Sequence, residues 1–433
     1  MMVPSQRLLL AAAAVAVPAL TAAGLFPSLA APCAAVLAVF AIAAAADAVG
    51  ASRRIAALKV TTPPSLRFTK DVPAALPITI ENRSSQPIPA RLAISLPATV
   101  DTHDPNPNPL FLVPGPSLVN YSCTPRLRGD HRLPAIHLET LSPLGLWLAR
   151  ADHHPSFTFR VYPNLRDRAT AALFLKTADP GLRMRRQVGR GREFENLRQY
   201  LAGDTYEDIH WKATARRAFP VVKLYRVEHA QEVYAVIDSS RLSAREGILD
   251  SYVNAALHLA LVAERQGDRF GLVTFSDRTH RFVRARGGMD HFRLCRETIY
   301  NLRAERVSPD FREVFTSLQL NLRRRSLVVF FTSLDDALLA ETFEREVPLV
   351  ARRHLVLVNV TRTAAMRQLF TGAPPENLDA VYEALAGQML ANRMRTLALA
   401  LQNRGVRLAV VSPGRIKYDV AAGYLEVKRR QVL

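Results

Sequence analysis

Cysteine and aromatic residues are both scarce in this chain. The three cysteines, Cys33, Cys123 and Cys295, lie far apart and form no Cys-x-x-Cys pair. Their odd number and wide spacing argue against a disulfide framework and against a cysteine-bound zinc ion, and they fit a reducing compartment. Aromatic residues make up 7% of the sequence, which is little material for a surface that stacks nucleic-acid bases.

The sequence also lacks the usual catalytic motifs. It contains no Gly-x-Ser-x-Gly, no His-Glu-x-x-His, no P-loop lysine motif and no Gly-x-Gly-x-x-Gly. Asp204 and Asp208 lie close in sequence to His210, and a hydrolase that uses these three residues is the enzymatic alternative. A catalytic base must lie within hydrogen-bond reach of its target, so closeness in sequence is weak support and we do not expect an enzyme.

Positive charge, in contrast, is abundant. The chain has 57 Lys and Arg against 38 Asp and Glu, a formal net charge of +19. Such an excess suits nucleic acid, an anionic membrane surface or an acidic protein partner. Between 183 and 230, eleven basic residues stand against six acids, so nucleic-acid binding through this basic connector is a second alternative. We favour lipid proximity or an acidic protein partner.

Two apolar runs occupy the N-terminus. They extend from Leu8 to Phe26 and from Leu29 to Val49, and each has about the 20 residues that span a bilayer. Basic residues lie on both outer flanks: Arg7, Arg53, Arg54 and Lys59. The positive-inside rule then places both flanks in the cytoplasm. We predict a transmembrane helical hairpin over residues 1–59, with the rest of the chain cytoplasmic; cleavage of the first run as a signal peptide is the alternative.

The rest of the sequence has three regions of different composition and pattern. More than half of the 28 prolines lie in residues 60–165, among short alternating apolar runs, which predicts a small β-sandwich. A basic connector follows over residues 166–230. From residue 231 to residue 433, strand-like apolar runs alternate with helical periods, a pattern typical of a mainly parallel sheet covered by helices on both faces. We therefore predict a Rossmann-type α/β domain in this last region.

The connector carries two distinctive runs, Gly191 to Asp204 (GREFENLRQYLAGD) and Ile209 to Arg216 (IHWKATAR). Together they resemble the signature of a bacterial family catalogued as domain of unknown function 58 (DUF58). Earlier features agree in order, including Ser142 to Trp147 (SPLGLW). The resemblance implies a von Willebrand factor A-like C-terminal half and a link to MoxR-type AAA+ ATPases. One departure is Glu207, which stands where this family would have an arginine.

The resemblance also marks residues of the signature as a partner-binding or docking motif: Arg192, Glu193, Phe194, Arg198, Tyr200, Gly203, Asp204, His210, Trp211, Lys212 and Arg216. The structural alternative is that the motif packs the connector onto the A-like domain. In that case Trp211 would bury its large apolar face, and Asp208 would cap a short helix that begins near His210.

A magnesium site is the third implication of the resemblance. Proteins with this fold bind Mg²⁺ at a metal-ion-dependent adhesion site that begins with Asp-x-Ser-x-Ser. Here Asp238 and Ser240 match, but Leu242 replaces the second serine and supplies no oxygen. The later Thr-Asp pair reads Thr332-Ser333, so Ser243 and Asp335 would have to substitute through a shift of register. The sequence thus predicts a degenerate site of Asp238, Ser240 and Asp335; the alternative is that the first two cap the following turn.

These observations combine into one expectation. The chain is expected to be a membrane-anchored scaffold or adaptor in the bacterial inner membrane, with both soluble domains in the cytoplasm. It would bind a partner protein, with a MoxR-type AAA+ ATPase as the partner that the resemblance implies. No cofactor is expected, and Mg²⁺ is the ion that the degenerate site would take.

Overall fold

The computed structural model describes residues 1–102, 104, 107–155, 158–165, 188–201, 204–217, 219–226, 230–245, 247–362 and 378–430. At residues 188–196, 208 and 224–226 the structure describes the backbone alone. The chain forms two compact units, Met1–Asn164 and Leu165–Leu433.

Two apolar helices open the first unit. Helix α1 (Gln6–Leu25) and helix α2 (Ala30–Ala56) are joined by a single 3-10 turn at Pro27–Leu29. Ser5 begins α1, because its Oγ accepts the Leu8 N–H at 3.3 Å. Both helices are long and apolar enough to cross a membrane, and few of their residues are buried within the protein. The predicted pair of apolar helices is therefore confirmed.

The hairpin is tied back to the β-domain that follows it. Strand β1 (Met2–Pro4) pairs antiparallel with β11 (Trp147–His153). Near the end of α2, the buried carboxylate of Asp47 accepts hydrogen bonds from Ser142 Oγ at 2.5 Å and from the Leu144 N–H at 2.8 Å. The Trp147 indole N–H donates to the Ala44 carbonyl at 2.8 Å. The N-terminus and the end of α2 are thus held at the same end of the hairpin.

The β-domain is a sandwich, as the proline-rich pattern predicted. One sheet has the order β1-β11-β10-β5-β7, a second β2-β4-β8-β6, and a third β3-β12-β9. Alternating strand residues such as Ile78 and Leu92 enclose one apolar core from the first two sheets. The remaining strands are β2 (Leu58–Thr61), β3 (Ser65–Thr69), β4 (Ala74–Asn82), β5 (Ile88–Ser95), β6 (Val100–Thr102), β7 (Asn108–Leu112), β8 (Gly115–Pro125), β9 (Gly129–Arg132), β10 (Ala135–Leu141) and β12 (Thr158–Tyr162).

The second unit is built on a six-stranded sheet with the order β17-β16-β15-β18-β19-β20. Its strands are β15 (Glu232–Asp238), β16 (Arg269–Phe275), β17 (Thr279–Arg286), β18 (Ser326–Thr332), β19 (Leu355–Thr361) and β20 (Val406–Val411). Five strands are parallel and β17 pairs antiparallel at one edge. The central strands β15 and β18 are apolar between their polar ends, because helices cover both of their faces.

The covering helices agree with the predicted alternation in most positions. They are α4 (Ile248–Arg265), α5 (Met289–Ile299), α6 (Phe311–Asn321), α7 (Ala337–Glu346), α8 (Pro348–Ala351), α9 (Leu378–Asn403) and α10 (Ile416–Arg429). The sequence pattern did not predict the edge strand β17 or the last helix α10. It also took α7 and α8 as one helix, and Pro348 begins the second of them.

The connector contributes a separate two-stranded sheet. Strand β13 (Val188–Gln199) pairs antiparallel with β14 (Val221–Arg226), and a short helix α3 (Trp211–Arg217) lies between them in sequence. We call β13, β14 and the segment between them the arm. Ile209 is buried and bridges to Val222, while the His210 N–H donates to the Val221 carbonyl at 2.8 Å. These contacts fold the arm's middle segment back onto β14.

Candidate functional site

The carboxyl ends of the two central strands bring Asp238 and Thr332 together. Asp238 ends β15, and Thr332 ends the adjacent parallel strand β18. Thr332 Oγ1 donates to Asp238 Oδ2 at 2.6 Å, and the Ser240 N–H donates to Oδ1 at 2.8 Å. This edge of an open α/β sheet is where such folds usually bind ligands.

Asp238 is an acidic residue in the protein interior. Its side chain is fully buried, and burial raises the pKa of this carboxyl above its ordinary value, although hydrogen bonds from Thr332 and Ser240 oppose the shift. Both of these donors are uncharged. The fold therefore compensates the carboxylate with dipoles at the end of the strand, which is weaker compensation than a cation would give.

Ser240 stabilises the turn that follows β15 through a hydrogen bond to the backbone. Its Oγ accepts the Leu242 N–H at 3.3 Å and begins the 3-10 turn Arg241–Ser243. Leu242 is buried. Ser240 and Asp238 thus hold the turn after β15, which is the capping arrangement set out above as the alternative to metal binding.

The acids of the loop after β18 are paired with arginines of the turn after β15. Arg245 Nη1 donates to Asp335 Oδ2 at 2.5 Å. Arg241 Nη2 donates to Asp336 Oδ2 at 3.0 Å, while its Nε donates to Ser308 Oγ at 3.0 Å. The pairing with Arg241 also lowers the pKa of Asp336. Sequence reasoning missed both arginines, although two basic residues directly after an Asp-x-Ser strand end are a visible signal.

The magnesium site of Asp238, Ser240 and Asp335 stays a prediction, and in this structure its two acids have protein partners. Magnesium needs several oxygen ligands in an octahedral arrangement, but Asp335 and Asp336 are neutralised by guanidinium groups and both oxygens of Asp238 already accept hydrogen bonds. In the described ranges, the acids and histidines grouped closely enough to share an ion do not include Asp238. The structure places Asp238 and Ser240 side by side and ties Asp335 to Arg245.

The edge nevertheless keeps spare hydrogen-bonding capacity. Three buried oxygen atoms of these two loops, Ser243 Oγ, Ser333 Oγ and Asp335 Oδ1, have no hydrogen-bond partner in the described part of the chain. Buried polar atoms are nearly always paired with protein or water.

Some signature residues of the arm are held by hydrogen bonds or ring stacking, and others are exposed to solvent. Asp204 accepts from Arg198 Nη2 at 2.6 Å and from the Leu201 N–H at 2.9 Å, and the Arg198 bond lowers the pKa of Asp204. Tyr200 stacks on Tyr206 with 5.9 Å between ring centroids. Arg192, Glu193 and Phe194 lie on β13 with side chains outside the description, and Gly203 lies outside the described residues.

Trp211 is exposed rather than buried. Its side chain is 68% exposed at the start of α3, and Tyr206 and Leu201 are 74% and 62% exposed. Lys212 and Arg216 on the same helix are exposed as well. The sequence-based alternative that Trp211 anchors the connector by burial is therefore wrong, because α3 turns this residue to solvent.

The proposed acid–base cluster is not assembled in the described contacts. Asp204 is bonded to Arg198 and Leu201, and His210 Nδ1 instead accepts the Ala213 N–H at 3.1 Å at the start of α3. His210 thus takes the capping position that the sequence assigned to Asp208. The side chain of Asp208 lies outside the description.

Comparison with known proteins agrees with this architecture. The second unit has a mainly parallel sheet with one antiparallel edge strand and helices on both faces, the arrangement expected of a von Willebrand factor A-like α/β domain. Residues 196–369 match the family model described as "Protein of unknown function DUF58". The resemblance to DUF58 that the signature predicted is confirmed over this segment.

Solved structures show low-identity likenesses of fold. The SpRpn10 VWA domain is 11% identical, covering 45% of this chain and 95% of that one, with a TM-score of 0.29. The conserved hypothetical protein BatB from Bacteroides thetaiotaomicron is 11% identical, covering 46% and 99%, with a TM-score of 0.29. PapD-like domain 7 of human CEP192 is 14% identical, covering 25% and 87%, with a TM-score of 0.19. No curated protein sequence matches this chain.

Proposed function

We propose that this chain is a membrane-anchored scaffold that binds a partner protein through the exposed face of its arm. The observation that carries the proposal is the exposure of Trp211, together with Tyr206 and Leu201 on the same short segment. Tryptophan and tyrosine supply a large share of the energy of protein interfaces, and several apolar side chains left in water mark an interaction surface. We call these three side chains the docking face.

The charges beside the docking face indicate what the partner offers. Lys212, Arg216 and Arg217 are exposed on α3, while Asp204 is already neutralised by Arg198. An apolar centre with a basic rim favours a partner that presents an apolar pocket edged by acids. Nucleic-acid binding is less well supported, because aromatic residues make up only 7% of the sequence.

The two apolar helices support the anchor. If α1 and α2 cross the bilayer, the pairing of β1 with β11 puts the N-terminus on the same side as the β-domain. Arg53 and Arg54 lie in the last turn of α2, at that same end. Basic flanks favour the cytoplasmic side, so we place both soluble units in the cytoplasm of a bacterium, at its inner membrane.

The family resemblance supports the choice of partner. A MoxR-type AAA+ ATPase is the partner that it implies, and an acid-rimmed apolar groove on such an ATPase is the surface that we expect to meet Trp211. In this assembly the chain acts as an adaptor: the hairpin holds it at the membrane while the arm recruits the ATPase to a chaperone-like complex.

The anchor is tested by fusing reporters to the C-terminus of the full chain. We expect the fusion to green fluorescent protein to fluoresce. We expect the fusion to alkaline phosphatase to be inactive, because this enzyme needs an oxidising compartment. Active phosphatase would contradict the cytoplasmic placement.

Recruitment is tested by co-purification of the detergent-solubilised full chain with a MoxR-type ATPase encoded beside it; failure to associate in any nucleotide state would contradict the scaffold proposal.

A further inference from the structure

Three side chains of types that can bind a metal, Asp277, His280 and Glu305, converge on the hydroxyl of Ser276 at the end of β16. Ser276 directly follows the strand, Asp277 lies in the turn, His280 is the second residue of β17, and Glu305 comes from the segment between α5 and α6. Three atoms approach Ser276 Oγ: His280 Nε2 at 2.6 Å, Asp277 Oδ1 at 2.9 Å and Glu305 Oε2 at 2.9 Å. Chain segments about thirty residues apart thus converge on one hydroxyl.

The hydroxyl of Ser276 cannot donate to both carboxylates at once. The Ser276 hydroxyl has one proton and satisfies only one of the two carboxylates, and a neutral imidazole that donates from Nε2 adds one more. Two carboxylates within 4.8 Å of each other repel at close range. A cation bound between them removes the repulsion and satisfies both carboxylates at once.

The cluster is held in place by the main chain. The Glu305 N–H donates to the Ser239 carbonyl at 2.7 Å, and the Asp310 N–H donates to the Ser276 carbonyl at 3.0 Å. Ser276 itself is fully buried. These bonds fix both loops against the sheet, so the side chains converge without the ordering that a flexible loop would require.

We propose that Asp277, His280 and Glu305 bind a divalent transition-metal ion, with zinc as the best match. One imidazole with two carboxylates is a ligand set that zinc accepts. Two ligands about 2.0–2.1 Å from a tetrahedral ion lie ~3.4 Å apart, and His280 Nε2 is 3.3 Å from Glu305 Oε2. Both carboxylates are exposed, so the ion keeps a coordination position open to solvent.

This site does not depend on the proposed scaffold function, and it lies beside the edge around Asp238 but uses different side chains. Its ligands come from the loop after β16 and the segment after α5, whereas Asp335 and Asp336 follow β18. It also differs in chemistry, since an imidazole favours zinc over magnesium.

The test is a calorimetric Zn²⁺ titration of the untagged full chain in detergent, after removal of metals with a chelator. We expect one tight equivalent per chain in the wild type, and affinity at least 10-fold weaker in His280→Gln and in Glu305→Gln. Asp238→Asn is the matched control and retains wild-type affinity. Thermal unfolding without metal verifies that each variant is folded.

Three results would overturn the inference: no zinc binding by the wild type, undiminished binding by His280→Gln, or loss of binding in Asp238→Asn alone. Cobalt substitution gives a second readout that does not depend on affinity. The visible absorption band of bound Co²⁺ in the wild type should shift or vanish in His280→Gln, and an unchanged band would place the ion elsewhere.

Discussion

Arg245 Nη1 lies 2.5 Å from Asp335 Oδ2 and places a protein cation beside the acid that would have served a magnesium ion. The side chain of Asp335 is only 9% exposed, so this ion pair is held against the sheet edge. With Arg241 on Asp336, the turn after β15 neutralises both acids of the loop after β18. We interpret this edge as one at which arginine side chains neutralise the acids that a metal ion would otherwise bind.

We therefore expect Mg²⁺ not to bind this edge. Calorimetric titration of the full chain with Mg²⁺ at millimolar concentration is expected to give no saturable heat, and the Asp238→Ala variant should give the same flat trace. A saturable signal in the wild type that Asp238→Ala removes would contradict the account of the edge.

The buried Asp238 predicts how stability changes with pH. The pKa of Asp238 is higher in the folded protein than in the unfolded chain. As pH rises above about 3.8, the unfolded chain therefore loses this proton before the folded protein does. The contribution of Asp238 to the free energy of unfolding accordingly falls between that pH and the folded pKa. Asp238→Asn keeps the shape and removes the titration.

The unfolding midpoint of Asp238→Asn, measured relative to wild type at pH 4.5 and at pH 7.5, should accordingly shift in favour of the variant at the higher pH. A relative stability that stays constant between the two values would show that Asp238 is compensated in some other way.

The last helix α10 is held to the sheet by a buried acid. Asp268 is 2% exposed, receives Lys428 Nζ at 2.8 Å and the Gln231 N–H at 3.1 Å, and bonds to the Tyr424 hydroxyl. Burial and the neighbouring Asp268 raise the pKa of Tyr424. Removing the carboxylate leaves the largely buried Lys428 ammonium group with the Gln266 carbonyl as an acceptor but without its counter-charge, which costs about 3–5 kcal/mol.

We therefore expect Asp268→Ala to lower the free energy of unfolding by that amount in denaturant titrations. The control on the same helix is Glu426→Ala, because Glu426 pairs with Arg407 at 2.8 Å on the surface and such pairs contribute at most about 1 kcal/mol. Equal losses in the two variants would refute the role assigned to Asp268.

Two glycines of the hairpin should respond differently to the same change. A Cβ on Gly50 would lie 2.9 Å from Cδ and Cγ of Pro143, whereas a Cβ on Gly24 meets nothing within 4 Å. Overpacking of this kind costs about 1–3 kcal/mol. Gly50→Ala should lower the thermal midpoint of the full chain in detergent and Gly24→Ala should not; equal midpoints would show that α2 does not pack on the loop of Pro143.

Strong periodic signals in the sequence predicted most of the fold. The apolar runs of α1 and α2 and the uniformly apolar strand β18 could be recognised by length and pattern alone. Strand β17 was missed because it lies at the edge and arginines interrupt its alternation.

The candidate sites depend on tertiary packing and were harder to predict. A tryptophan in a motif is usually a packing residue, and only the path of the chain around α3 shows that Trp211 faces solvent. Similarly, Asp277 and His280 are close in sequence, but Glu305 joins them only because the Glu305 N–H bonds to Ser239 on the neighbouring strand end.

The central claim, that the arm recruits a protein partner through Trp211, is tested most directly by one comparison of dissociation constants. The full chain in nanodiscs is titrated with the purified MoxR-type ATPase, as wild type, as Trp211→Ala and as Tyr382→Ala, a control that truncates another aromatic residue, 66% exposed on α9. We predict binding by the wild type and the control, and about 30-fold weaker binding by Trp211→Ala, the loss of about 2 kcal/mol expected of an interface centre. Equal dissociation constants for all three proteins would contradict the account.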